Sequence, residues 1–352
     1  MPRPALRDFS KALPASGRVI LCTHRHPDPD GLGALLGMQS LLAARFHLVG
    51  DLVLEGRIRR AENAAMRDLL NIRTLPKGGV NPSAYAGLLL VDSQPGFSHT
   101  HPPGGLPILA VIDHHQGPED FSPPAALRPP FEWVDTSYGA TSAMVYDLLR
   151  AFDLEPDERV ATALFCGVRY DTNDLQRGAS ELDVRAFRRL EELSNRRIVT
   201  EIDRPPLPRG WYQQMHTALA TCRTHGPLSL TLLGEVPSPE AVAEVADWLL
   251  RLEGQTWSLA GGACDGLYQV SLRTDQAGAD AYPMLRAILN GLGSCGGHGR
   301  MAGGQVPLAD HALEALREQI AARALEYFQL QGIPAEPVVP GAAIASMPNP
   351  AR

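Results

Sequence analysis

Four short clusters gather carboxylates and imidazoles along the first half of the chain. THRHPDPDG carries His24, Asp28 and Asp30, VDS carries Asp92, IDHH carries Asp113, His114 and His115, and RYDTND carries Asp171 and Asp174. Taken singly, such residues are ordinary helix caps or surface groups. Asp30 beside Gly31 suits the cap of a helix beginning near Leu32, and Pro27 and Pro29 suit a stiff turn. Taken together they need a compensating charge, because carboxylates gathered out of water repel one another and lose their hydration. Two divalent cations would balance Asp28, Asp30, Asp92 and Asp171. Imidazole with carboxylate and no thiolate suits Mn²⁺, Mg²⁺, Co²⁺ or Fe²⁺ better than a structural zinc. Two such ions about 3.5–4 Å apart are suited to displacement at phosphorus.

Each cluster is expected where a strand ends. RVILCT at 18–23, HLVGDLVL at 47–54, GLLLVDS at 87–93 and PILAVID at 107–113 are apolar runs of strand length. Helical periodicity marks 32–46, 139–152, 158–168 and 180–193. This alternation predicts an α/β domain with a parallel sheet, whose ligands collect at the carboxyl ends of the strands. DRPPLPRG at 203–210 cannot continue a helix. Strands are expected at 228–233, 256–260 and 267–273, and helices at 239–252, 281–292 and 309–328, which suggests a smaller α/β domain with a mixed sheet. The expected division is a metal-binding domain over 1–202, a linker over 203–215, a substrate-binding domain over 216–332 with a cleft between the two, and a Pro/Ala-rich surface tail over 333–352.

The ordered set HRHPDPDG, VDS, DHH and YDT resembles the DHH phosphoesterases. GGHGRMAGG at 296–304 is similar to the glycine-rich signature of the DHH-associated domain, and VSLRTD at 270–275 sits where that domain carries a substrate-binding arginine. The resemblance spans about residues 15–330 and is closest in architecture to the short-oligoribonucleotide ribonucleases that also dephosphorylate pAp. It implies two divalent cations, with Mn²⁺ expected. His24, Asp28 and Asp92 would hold one. Asp30, Asp92, His114 and Asp171 would hold the other, with Asp92 bridging. His115 would face the scissile phosphate as a hydrogen-bond donor or general acid. Asp113 would either orient the histidine pair or be a buried carboxylate bonded to backbone amides. Arg273 would grip a phosphate or terminal nucleotide, Gly296 and Gly297 would open the backbone to the ligand, and His298 would add a polar contact. Arg177 is either a surface residue or a further phosphate contact.

Other residues point to packing. Cys22 and Cys166 suit small buried hydrophobes, His99 and His101 suit the surface, and Trp211 and Tyr212 suit either a hinge contact or base stacking. The five cysteines form no C-x-x-C pair, so neither a disulfide framework nor a zinc cluster is indicated. The 352 residues are 44% hydrophobic and 20% charged, as in a soluble globular enzyme, and no apolar run reaches the roughly 18 residues of a membrane span. The N-terminus lacks a signal-peptide core, so a cytoplasmic protein is expected. A net charge of −7 argues against coating long nucleic acid. Among the activities that the resemblance implies, the expected substrate is a short oligonucleotide or small nucleotide, including pAp. Cyclic or linear dinucleotides and RecJ-like single-strand digestion are the alternatives, and a non-catalytic nucleotide-binding protein stands behind them. No membrane partner is expected, and a homodimer remains open.

Overall fold

A computed structural model of the protein describes residues 6–97, 99–117 and 128–340. The chain divides into two compact units, Met1–Pro206 and Leu207–Arg352.

In the first unit, α1 (Leu6–Ala12) precedes β1 (Arg18–Cys22), α2 (Pro29–Phe46), β2 (Val49–Leu54), α3 (Ala61–Leu69) and β3 (Thr74–Pro76). β4 (Leu88–Val91), β5 (Ile108–Asp113) and β6 (Phe131–Val134) follow, then α4 (Thr141–Ala151), α5 (Glu158–Thr172), α6 (Glu181–Leu193) and α7 (Arg196–Asp203). The six strands form a parallel sheet in the order β3-β2-β1-β4-β5-β6. Its inner strands are apolar on both faces. On β1, Val19 and Leu21 enter the core beneath α2, whereas Ile20 and Cys22 enter a smaller cluster with Leu88, Leu90 and Val111. Burial pushes the Cys22 and Cys166 thiols up to about 12, as expected of small hydrophobes.

The order reverses between β1 and β4. The chain leaves β1 toward β2 on one side and returns at β4 on the other, which opens a crevice at the carboxyl ends of those two strands. α2 begins at Pro29, earlier than 32, because Asp28 rather than Asp30 is its N-cap. The Asp28 Oδ1 accepts from the backbone N–H of Asp30 at 3.0 Å and of Gly31 at 3.1 Å. α5 runs on to Thr172, past the expected end at 168. Asp171 therefore lies on the last turn of a helix, not at the end of a strand.

The second unit holds α8 (Arg209–Thr221), β7 (Arg223–His225), β8 (Leu228–Glu235), α9 (Pro239–Leu249), β9 (Trp257–Cys264) and β10 (Leu267–Thr274). It continues with α10 (Ala281–Ile288), β11 (Ser294–His298), β12 (Met301–Pro307), α11 (Leu313–Tyr327) and β13 (Glu336–Pro337). The seven-stranded sheet is mixed. β8 and β9 pair in parallel and the other neighbours are antiparallel. Residues 209–215, expected as linker, are helical, because the prolines end at Pro208 and leave Arg209 onward able to donate backbone hydrogen bonds. The stretch GGHGRMAGG is a β11–β12 hairpin. Within the expected tail, Glu336 and Pro337 pair with β7, and residues 341–352 lie outside the described residues.

Candidate metal centre

The crevice between β1 and β4 collects the polar residues that follow the strands. His24 and Asp28 come from the β1–α2 turn, Asp92 from the end of β4, and Asp113, His114 and His115 from the end of β5. Asp92 takes a left-handed backbone, φ 56°, which aspartate tolerates better than most side chains. Its position is central. His24 Nε2 lies 3.4 Å from Asp92 Oδ2, and His114 Nε2 lies 3.8 Å from Asp92 Oδ1. Thr141, the first residue of α4, donates its hydroxyl to the same Oδ1 at 2.9 Å. α5 brings Asp171 from the far side, with Oδ2 3.0 Å from His114 Nε2. Asp30 sits fully buried with Oδ2 4.0 Å from that nitrogen.

Two groups of potential ligand atoms result, His24 with Asp28 and Asp92, and Asp30 with His114 and Asp171, and each group's atoms fall within 4.8 Å of one another. A third group joins Asp92, His114 and His115. The histidines are oriented as ligands would be. His24 Nδ1 faces the carbonyl of Arg25 at 3.0 Å and His114 Nδ1 that of Tyr138 at 3.3 Å, so each ring turns Nε2 toward the carboxylates. His114 Nε2 is buried, and its 3.0 Å approach to Asp171 Oδ2 lacks the angle of a hydrogen bond. Gly31 keeps the space open. A Cβ there would stand 2.9 Å from Thr23 Oγ1, 3.2 Å from Asp92 Oδ2 and 3.4 Å from His24 Nε2.

Burial and mutual repulsion among the carboxylates set the electrostatics of the cluster. Burial pushes the Asp30 carboxyl well above its ordinary value, and the nearby charges of Asp92 and Asp171 push it further. The backbone N–H groups of Thr141, at 2.6 Å, and Ser142, at 2.8 Å, bond its two oxygens. Burial likewise raises Asp171, against the pull of His114. Burial acts to lower His24 and His114, yet their carboxylate neighbours prevail. Asp28 and Asp92 raise His24 well above the imidazole range, and Asp171 with Asp30 and Asp92 pushes His114 up to about 10. Burial acts to raise Asp92, but the His24 hydrogen bond and the charges of His115, His24 and His114 hold it below the carboxylate range. An oxygen-rich set with imidazoles and no thiolate fits divalent cations.

His115 is held differently. Its Nδ1 lies 2.8 Å from Asp113 Oδ1, and its backbone N–H reaches the same oxygen at 3.3 Å. Gln94 donates to Asp113 Oδ2 and to the carbonyl of His115, both at 2.8 Å. Asp113, fully buried, thus orients the ring and bonds a backbone amide at once.

The remaining site residues lie elsewhere. Arg177 turns its guanidinium back onto the carbonyl of Asp171, at 2.8 and 3.0 Å, and secures the end of α5, as a helix C-terminus favours. Asp174 pairs with Arg169 at 2.7 Å. In the second unit Arg273, on β10, donates to Asp247 on α9 at 2.8 Å and keeps only 14% of its side chain exposed. Gly296 and Gly297 pair with Gly303 and Ala302 across the hairpin. Gly297 has φ 145°, and a Cβ there would meet the Cα of Ala302 at 2.5 Å, so glycine is required. The side chain of His298 lies outside the described residues.

Residues 18–168 match the DHH family, N-terminal domain, and residues 228–324 match the DHHA1 domain. The chain belongs to the DHH phosphoesterase family. It is 30% identical over 318 residues to an uncharacterized protein of Methanocaldococcus jannaschii, covering 88% of this chain and 63% of that one. It is 25% identical to a cyclic-di-AMP phosphodiesterase of Geobacillus thermodenitrificans, over 92% of this chain and 49% of that one. The chain thus spans about half to two-thirds of the length of these curated relatives. An exopolyphosphatase-related protein of Bacteroides fragilis shares the fold, with a TM-score of 0.72 at 14% identity over 92% of this chain and 96% of that one. Among the described residues no helix is long and apolar enough to cross a membrane.

In this DHH protein several site residues escape a reading of the sequence. Gln94, Thr141 and Tyr138 are unremarkable polar residues whose roles depend on contacts 19, 49 and 24 positions distant. The only local signal is that Gln94 extends VDS by one residue, and that Thr141 opens a helix. His99, expected on the surface, is exposed, but its ring stands edge-on to His24 at 5.7 Å and stacks on Phe97 at 5.3 Å. Trp211 packs edge-on against Trp248 at 5.7 Å, so its contact is made within the second unit.

Proposed function

We propose that the protein is a metal-dependent phosphodiesterase that hydrolyses short oligonucleotides and small nucleotides, including pAp. The observation that carries this is the convergence of His24, Asp28, Asp30, Asp92, His114 and Asp171 around a buried carboxylate, beside a histidine held by Asp113. His24, Asp28 and Asp92 would hold one divalent cation and Asp30, Asp92, His114 and Asp171 the other, with Mn²⁺ the expected ion. When bound, the cations supply Lewis acidity to the phosphoryl oxygens and lower the pKa of water.

The residues of the chain do the rest. Asp113 receives the proton side of His115 Nδ1, which directs Nε2 away from Asp113. His115 gains a proton more readily than an ordinary imidazole, since Asp113 and Asp92 outweigh the effect of burial. A proton held at Nε2 is available to the leaving oxygen, a general-acid role. Gln94 keeps Asp113 from rotating and so fixes the ring. Arg273, steadied by Asp247, would present its remaining N–H groups to a substrate phosphate, while Gly296 and Gly297 would offer open backbone.

A second reading, hydrolysis of cyclic or linear dinucleotides, is favoured by the likeness to a cyclic-di-AMP phosphodiesterase over 92% of the chain. The two are separated by a Mn²⁺-supplemented panel of short RNA, short DNA, pAp, cyclic di-AMP, its linear product pApA and pyrophosphate. Short RNA and pAp are expected to turn over fastest. Preference for cyclic di-AMP selects the second reading, and no turnover of any of the six rejects both.

A further inference from the structure

α4 and α6 form a recess in the first unit that shares no lining residue with the metal centre. Its volume is about 410 Å³, and Tyr146, Asp147, Arg150, Ala151, Arg185 and Arg189 line it. Arg185 and Arg189 lie one turn apart on α6, and Asp147 and Arg150 nearly one turn apart on α4, so each helix presents a short polar row. Three guanidinium groups face one carboxylate. That carboxylate is engaged, because Tyr138 donates its hydroxyl to Asp147 Oδ2 at 2.7 Å. Arg189 is held by Glu155 and, at 2.7 Å, by Glu192. Arg150 and Arg185 are exposed and have no hydrogen-bond or ion-pair partner among the described residues.

We propose that this recess binds a linear oligophosphate, either free or as the phosphate chain of a nucleotide. Three arginines stand against Asp147, Glu155 and Glu192, so the recess is near charge balance, and the guanidinium groups open to an anion are those of Arg150 and Arg185. Guanidinium forks match phosphate oxygens two at a time, which ammonium groups do not. The arginines are spread along two helices, which suits a chain of linked phosphates better than one phosphate ion. The volume lies within the range of small-ligand sites.

The recess also touches the metal centre indirectly. Asp147 holds the Tyr138 hydroxyl, and the Tyr138 carbonyl faces His114 Nδ1 at 3.3 Å. Asp183, on α6, accepts from the Gly139 N–H at 2.8 Å. An anion drawing α4 and α6 together would therefore steady residues 138–142.

The test is calorimetric titration of the full chain with tripolyphosphate and, separately, with ATP. Arg150→Ala combined with Arg185→Ala should weaken both at least about tenfold, since two charge-assisted contacts are lost. The titrations are run with EDTA so that no cation at the metal centre can hold phosphate, and affinity that survives in Asp92→Ala then shows that the ligand is not bound there. Equal affinities identify the phosphate chain as the whole ligand, and tighter ATP binding adds a nucleoside contact. Should the alanine pair fail to fold, Arg150→Lys with Arg185→Lys replaces the forks alone and should still weaken binding. In the unsubstituted chain, tripolyphosphate should slow amide hydrogen exchange over residues 138–142, and in the alanine pair it should not. Absence of saturable binding, affinity lost with Asp92→Ala but not with the arginine pair, or equal slowing of exchange in both chains would each overturn the site.

Discussion

The two units use opposite means to make a polar surface. The first gathers side-chain charge. Its parallel sheet is apolar on both faces, so its polar groups are driven to the strand ends, and the reversal between β1 and β4 brings three of those ends together. Asp30, Asp92 and Asp113 are buried there with histidines beside them. In the second unit Arg273 is paired with Asp247, and the candidate ligand face is glycine backbone at Gly296 and Gly297. The lesson is that a site built from charge is marked by its residue types, whereas a site built from backbone is marked only by residues that leave it open.

The comparison breaks most sharply at Asp92. Asp92→Ala should abolish turnover and remove at least one equivalent of bound divalent metal, because both candidate ligand groups approach this carboxylate. Metal analysis and a turnover assay check this, and near-native activity would refute the assignment. Asp113→Asn should lower kcat by about 10²–10⁴-fold, the usual weight of a positioned general acid, while metal content stays near native. A loss of metal equal to that of Asp92→Ala would show that Asp113 supports the ligands instead.

Arg273→Ala tests the second unit. Loss of one charge-assisted phosphate contact costs about 1.5–3 kcal/mol, so KM should rise by roughly 10- to 150-fold with metal binding intact. A fall in metal occupancy would contradict the division of labour between the units.

The pH dependence tests the histidine–carboxylate pairs of the first unit. Metal must displace protons from His24 and His114, so apparent affinity for Mn²⁺ should rise about tenfold per pH unit for each proton released, between pH 6.5 and the raised folded value near 10 of His114. The metal-free protein should behave in the opposite sense. A raised histidine stabilises the fold fully below its unfolded value near 6.5 and loses that contribution as pH climbs through its folded value. Its melting temperature should therefore fall from pH 6.5 to pH 9, and a flat profile would remove the histidine–carboxylate pairs as its cause.

Length dependence of the substrate sharpens the functional reading. The rate on RNA should fall steeply beyond about five nucleotides, because a chain of net charge −7 offers little extended positive surface to bind further phosphates. A flat or rising kcat/KM from two to twenty-four nucleotides would favour a processive exonuclease.

The sequence by itself determined the residue types of the metal centre, the strands β1, β4 and β5, and hence the placement of His24, Asp92 and His114 at strand ends. Those features are local: an apolar run of strand length followed by a polar cluster is visible within ten residues. Tertiary structure decided the rest. It set Asp171 on a helix, because a helix end is marked by capping that only the fold completes, here through Arg177 on the α5 carbonyls. It joined Gln94, Asp113 and His115 into one hydrogen-bonded unit, and it brought Thr141 to Asp92. The contacts of Gln94 with Asp113 and of Thr141 with Asp92 join residues 19 and 49 positions apart, which no short stretch of sequence can register.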